Sequence, residues 1–138
     1  MVRNILAAIV GFAFIGVLVV CTDQLFSFAI DGFDAMDPRP TFYYAISLVT
    51  TTIWDMIGAW TCSILAKDGA GKAGRLLGMG GEVLLLIATV MLWKKVPHYY
   101  TIGLLATYPL AILFGTRSYQ WTRPDPEEEK LIRKRAIR

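Results

Sequence analysis

Three long apolar stretches, and a fourth that a single acid interrupts, occupy most of this chain of 138 residues. Hydrophobic residues make up 55% of the sequence and charged residues only 18%. A soluble domain of this length could not bury so much apolar surface, whereas a chain that crosses a lipid bilayer does not need to. The sequence therefore predicts a polytopic membrane protein.

The apolar stretches have the length of membrane-crossing helices, which need about 20 residues at a rise of about 1.5 Å each. The predicted spans cover residues 4–22, with a continuation to residue 30 as an alternative, and residues 41–66, 74–93 and 98–116. An acidic connection with two prolines follows the first span, a glycine-rich basic one follows the second, and a tight turn follows the third. The predicted fold is all-α: a bundle of four transmembrane helices over residues 1–122 and a charged tail at residues 123–138.

The basic residues are distributed unevenly between the two sides of such a bundle. With four spans, both termini lie on one side, and that side collects eleven Lys and Arg residues. The other side has only Arg39, Lys94 and Lys95. Because cytoplasmic loops carry an excess of Lys and Arg, we expect both termini in the cytoplasm and the chain in a bacterial-type inner membrane.

The tail has the pattern of a short cytoplasmic helix. Asp125 stands at the cap and Pro126 in the first turn, with acidic residues at 127–129 and basic residues toward 138. These charges match the helix dipole at each end. We expect the basic end to contact anionic lipid headgroups, and a patch this short beside a membrane does not indicate nucleic-acid binding.

Two acids lie within the second and third spans, Asp55 and Glu82. An ionisable side chain in hydrocarbon costs at least ~2.5 kcal/mol and is a functional-site hypothesis by default. Helical rise places Asp55 roughly 15 Å and Glu82 roughly 10 Å from the inner surface, with Tyr108 of the fourth span at roughly 12 Å. A short loop makes the second and third spans antiparallel neighbours, so the two carboxylates are predicted to face each other.

Such a pair would bind a proton or a cation, because two adjacent carboxylates in a low-dielectric setting cannot both ionise at low cost. The predicted function is a small transporter, with a binding set of Asp55, Glu82, Tyr108, Thr51 and Thr107. The alternative is a non-catalytic accessory or assembly subunit of a larger membrane complex, in which a protonated acid only holds helices together.

Small residues recur on one face of each span, often at four-residue intervals, and such residues allow close helix packing in lipid. The predicted packing positions are Gly74, Gly78, Gly58, Ala59, Gly103, Ala111 and Gly115. Since four helices enclose little space, we expect a homo-oligomer or a larger membrane complex.

Several kinds of chemistry lack the residues they need. His98 is the only histidine, with no second histidine or cysteine at ligand spacing, so neither a metal site nor a cofactor is predicted. Cys21 and Cys62 lie roughly 20 Å apart in depth, which excludes a disulfide within the chain. Without a metal-binding set or an activated nucleophile, no enzymatic activity is predicted.

The opening residues 3–8 (RNILAA), the Asp-Pro-containing acidic loop after the first span and the stripes of small residues resemble a group of short bacterial inner-membrane proteins. Those proteins have four helices and no assigned function. The resemblance covers most of the chain at the level of layout. It implies the four-helix fold and assigns no functional residue.

Overall fold

The computed structural model describes residues 2–30 and 39–122, and within those ranges it contains no β-strand. Four α-helices follow one another: α1 Val2–Ala29, α2 Thr41–Ala66, α3 Ala70–Leu92 and α4 His98–Thr122. The prediction of an all-α chain is confirmed. Most of the acidic loop (residues 31–38) and the predicted helix in the tail (residues 123–138) lie outside the described residues.

Three helices extend past their predicted spans. α1 runs to Ala29, in agreement with the alternative end at residue 30, because the apolar sequence goes on and contains no helix breaker there. α3 begins at Ala70 instead of residue 74, and α4 continues to Thr122 instead of ending at residue 116. Polarity, which defined the ends of the spans, does not by itself end a helix, and α4 also accommodates Pro109 within its length.

By length and hydropathy, three stretches of the described residues could cross a membrane: Val2–Ala29, Thr41–Leu92 and His98–Thr122. The predicted count of four spans is not matched, because the second stretch of 52 residues takes in both α2 and α3. Within it, Lys67 has a φ of 53° and begins a single 3₁₀ turn, Lys67–Gly69. The two helices on either side of that turn pack against each other, so the chain reverses direction there.

Contacts near the two ends of the bundle show how the helices run. The guanidinium of Arg3 donates a hydrogen bond of 2.8 Å to the carbonyl of Ala66, which pairs the start of α1 with the end of α2. Ser47 and Tyr100 share a hydrogen bond of 3.0 Å between their hydroxyls, so α2 and α4 run in the same direction. Below, the basic end is the end that holds Arg3, and the aromatic end is the end that holds Tyr100.

The interior of the bundle is made of small residues. Ala59, Cys62 and Ala73 are completely buried, and a Cβ added to Gly58 would collide with Ile15 of the neighbouring helix. Large apolar side chains lie on the outside of the bundle, among them Val90 at 79% exposure. Helices that meet through small residues approach closely, and this places the larger side chains on the outside.

Candidate functional site

Asp55 occupies the middle of α2, and its side chain is only 2% exposed. It lines a cavity of about 420 Å³ to which all four helices contribute. Thr51, one turn earlier on α2, and Tyr108 of α4 line the same cavity. The remaining walls are mostly apolar and include Ile15 of α1 and Leu85 of α3. Among the described residues, no donor forms a hydrogen bond with the Asp55 carboxyl.

Tyr108 connects this cavity to α3. Its hydroxyl donates a hydrogen bond of 3.0 Å to the carbonyl of Leu77 and lies directly over Gly81, where a Cβ would overlap the phenol ring. Tyr108 therefore contacts α3 at Gly81 and also lines the cavity that holds Asp55.

Glu82 lines a different space. It faces a groove of about 540 Å³ between α3 and α4, and the Asp55 cavity does not include it. One of its carboxyl oxygens, Oε2, is covered and has no hydrogen-bond partner among the residues that the structure describes. The structure thus brings Asp55, Thr51 and Tyr108 together and places Glu82 apart from them.

The separation of the two acids has a simple helical cause. Gly81 faces Tyr108 and the Asp55 cavity, and the next residue along a helix points about 100° away. Glu82 is therefore turned toward the neighbouring groove. Thr107 is displaced in the same way from Tyr108: it lines neither space, and its hydroxyl bonds the Leu104 carbonyl within its own helix at 3.5 Å.

The small residues that were predicted to pack helices differ in how closely the neighbouring helix approaches them. Gly115 lies against Met56 and Ala59, Gly103 against Leu48, and Gly74 against Thr116, each too close for a larger side chain without movement. Gly78 has more room, since a Cβ there would meet only Ile112, at 3.5 Å. Ala59 and Ala111 are buried.

A polar cluster at the aromatic end was not predicted. The guanidinium of Arg39 donates a hydrogen bond of 2.7 Å to the Tyr43 hydroxyl, which itself donates one of 2.6 Å to the Asp23 carboxylate. The nearest charged atoms of Arg39 and Asp23 are 4.0 Å apart. The available signal was the apolar sequence after Asp23, which keeps that acid inside a helix instead of at the start of a loop.

Aromatic rings extend this cluster inward. Phe26, Tyr43, Tyr44 and Tyr100 form successive contacts with ring centroids 5.2–5.3 Å apart. Tyr100 also lines the Asp55 cavity. The aromatic chain therefore links the polar cluster to the wall of the cavity.

The described residues hold two free cysteines and no metal-binding cluster. Residues 2–30 and 39–122 contain no group of three or more His, Cys, Asp and Glu side chains that could hold a metal ion. Cys21 is exposed, Cys62 is buried, and both are free thiols.

Comparison of the chain with protein-family models, curated proteins and solved structures found no match. The functional assignment therefore depends on the geometry of the cavity and the groove.

Proposed function

We propose that the chain is a multi-pass protein of a bacterial-type inner membrane, crossed once by each of α1 to α4, with both termini in the cytoplasm. A single helix over Thr41–Leu92 would be about 78 Å long at about 1.5 Å per residue, against a hydrocarbon core of about 30 Å. The reversal at Lys67 supports two crossings in this stretch. The outward-facing large apolar side chains would contact lipid, and the basic end would face the cytoplasm.

We further propose that the protein is a small transporter that binds a proton or a small cation at Asp55. One observation carries this proposal: a buried carboxyl, with no hydrogen-bond donor among the described residues, faces a cavity inside the bundle. A charged carboxylate in such a place is costly unless something compensates it. A bound proton or cation would provide that compensation.

The neighbouring hydroxyls support this role. The hydrogen of the Tyr108 hydroxyl is used on the Leu77 carbonyl, so its oxygen is available as an acceptor on the cavity side. Thr51 adds a second hydroxyl oxygen. Together with the Asp55 carboxyl, they form an oxygen-lined position in an otherwise apolar cavity, which is the ligand type that protons and hard cations require.

The rival proposal is an accessory subunit of a larger membrane complex, or a homo-oligomer held by the same surfaces. It is supported by Gly80 of α3, an exposed glycine whose added Cβ atom would meet nothing within 4 Å. Small residues on lipid-facing helix surfaces are typical of positions where another helix packs. The carboxyl of Asp55 would then be protonated permanently and serve only packing.

The two proposals separate in a proton-flux experiment. The purified protein is reconstituted into vesicles that contain a pH-sensitive dye, and a potassium diffusion potential, negative inside, is imposed. We expect proton uptake above that of protein-free vesicles. Asp55→Asn should reduce this uptake by about tenfold or more, because an amide, unlike a carboxyl, neither takes up nor releases a proton near neutral pH. Asp55→Glu keeps a carboxyl and should retain part of the flux.

Parallel vesicles with a sodium or potassium gradient in place of the pH dye test the cation form of the proposal. The transporter proposal fails if the wild-type protein moves none of these ions, or if Asp55→Asn moves them at the wild-type rate while remaining folded. A fixed co-purifying protein that tolerates Asp55→Asn would instead support the accessory subunit.

A further inference from the structure

The groove between α3 and α4 has a polar end and an apolar remainder. Arg75, Arg117 and Gln120, all exposed, line its basic end. Further along, the lining consists mainly of glycine and apolar side chains, among them Gly78 and Leu113. A space of about 540 Å³ with this division is suited to an amphipathic ligand.

The charge at the polar end is positive. Arg75 and Arg117 come from different helices and line the same groove, and the Arg75 Nε donates a hydrogen bond of 3.2 Å to the Gly71 carbonyl. The acid that lines this groove, Glu82, is seven residues along α3, about 10 Å away by helical rise. Two guanidinium groups at one mouth favour a phosphate, which arginine binds through paired hydrogen bonds.

A third polar residue lies at the same level. Thr116 precedes Arg117 and lines the groove, and its hydroxyl lies against Gly74, the residue before Arg75. Polar residues of both helices therefore line the basic end of the groove.

We propose that this groove binds an anionic phospholipid, with its phosphate between Arg75 and Arg117 and an acyl chain along Gly78 and Leu113. Basic pockets between helices on the cytoplasmic side of a membrane are known binding sites for such headgroups. The inference rests on the proposed membrane placement and is independent of ion transport at Asp55.

Two other occupants fit the groove less well. A free phosphate ion would satisfy the arginines and leave the apolar part of the groove unfilled. A second copy of the chain, related by two-fold symmetry, would bring the same arginines of both copies toward one another, and like charges repel.

The test measures lipid binding by native mass spectrometry, with the purified protein in detergent that contains equal phosphatidylglycerol and phosphatidylcholine. We expect one phosphatidylglycerol bound per chain, with a preference of about 30-fold, which corresponds to about 2 kcal/mol at about 1 kcal/mol per arginine. The double variant Arg75→Gln, Arg117→Gln should lose this preference. The matched control Lys94→Gln, Lys95→Gln removes the same charge from exposed residues at the opposite end and should keep it.

A second variant tests the apolar part and leaves both arginines in place. Gly78→Leu should displace the lipid by filling the groove, because a Cβ at Gly78 is accommodated at 3.5 Å from Ile112 and the rest of the side chain extends into the open space. The proposal is overturned if the wild type binds both lipids equally, if Gly78→Leu binds lipid normally, or if millimolar inorganic phosphate abolishes the preference.

Two further outcomes would also overturn it. One is a lipid-free dimer that Gly78→Leu dissociates, which would assign the groove to a second copy of the chain. The other is an equal loss of preference in the lysine control, which would show that the preference for phosphatidylglycerol depends only on the net charge of the protein. Since Asp55 does not line the groove, Asp55→Asn should bind lipid as the wild type does, and failure of the transport proposal would leave this result unchanged.

Discussion

The Asp55 cavity and the α3–α4 groove are lined by neighbouring residues of the same two helices and differ in their other walls. Gly81 and Tyr108 line the cavity, while the next residue on each helix, Glu82 and Pro109, lines the groove. All four helices line the cavity, and Tyr100 connects it to a chain of aromatic rings. Two helices form the groove, which carries its charge at the basic end. A rotation of one residue about a helix axis therefore decides which environment an acid enters.

The largest expected difference between the two spaces concerns their acids. Asp55→Asn should reduce proton or cation flux by about tenfold or more, whereas Glu82→Gln should reduce it by less than about threefold, because only the Asp55 carboxyl faces the cavity that all four helices line. Flux into vesicles loaded with equal amounts of each folded variant measures both. Equal losses in the two variants would instead indicate that Asp55 and Glu82 act as the pair that the sequence predicted.

The contact that separates the two spaces can be tested with adjacent glycines of α3. Gly81→Ala should destabilise the protein by about 1–3 kcal/mol, because its Cβ would overlap the Tyr108 ring in a packed interior. Gly80→Ala is the matched control: a Cβ there meets nothing within 4 Å, and alanine should be neutral or gain up to about 1 kcal/mol in helix propensity. Thermal unfolding in detergent compares them. Similar melting temperatures for both variants would contradict the close contact.

The smallest expected effect concerns the polar cluster of Arg39, Tyr43 and Asp23 at the aromatic end. Tyr43→Phe should cost about 1 kcal/mol, because it removes the hydroxyl that links Arg39 to Asp23, both of which are partly solvated. Tyr44→Phe keeps a ring in the same aromatic chain and is the control, expected to cost less. Chemical denaturation in detergent measures the difference. If Tyr44→Phe proves the more destabilising of the two, the polar cluster does not contribute as described.

Local patterns were sufficient to predict the helices. Apolar length predicted α2 to the residue. The segments of the other helices were also correct, except that α1 reaches the later of its two predicted ends, α4 runs further and α3 begins earlier, at Ala70. Hydrophobic length depends on residues that are close together in the sequence, so reading along the chain is enough to obtain it.

The direction in which each side chain points could not be predicted in the same way. Glu82 and Thr107 were expected beside Asp55 and turned out to lie one residue away from the faces that meet there. Which face of α3 meets α4 depends on the closest fit of Gly74 to Thr116 and of Gly81 to Tyr108. Those fits involve residues more than 25 positions apart, and no spacing within one helix encodes them.

The amino-acid sequence was enough to establish that this chain is helical and apolar, with an acid in each of two apolar helices and small residues where helices meet, because each of these properties depends on neighbours within a few residues. The folded arrangement was needed to assign Asp55 to a cavity lined by all four helices, Glu82 to a groove, and Asp23, Arg39 and Tyr43 to one cluster. These assignments depend on helix rotation, which is set by packing between distant segments of the chain.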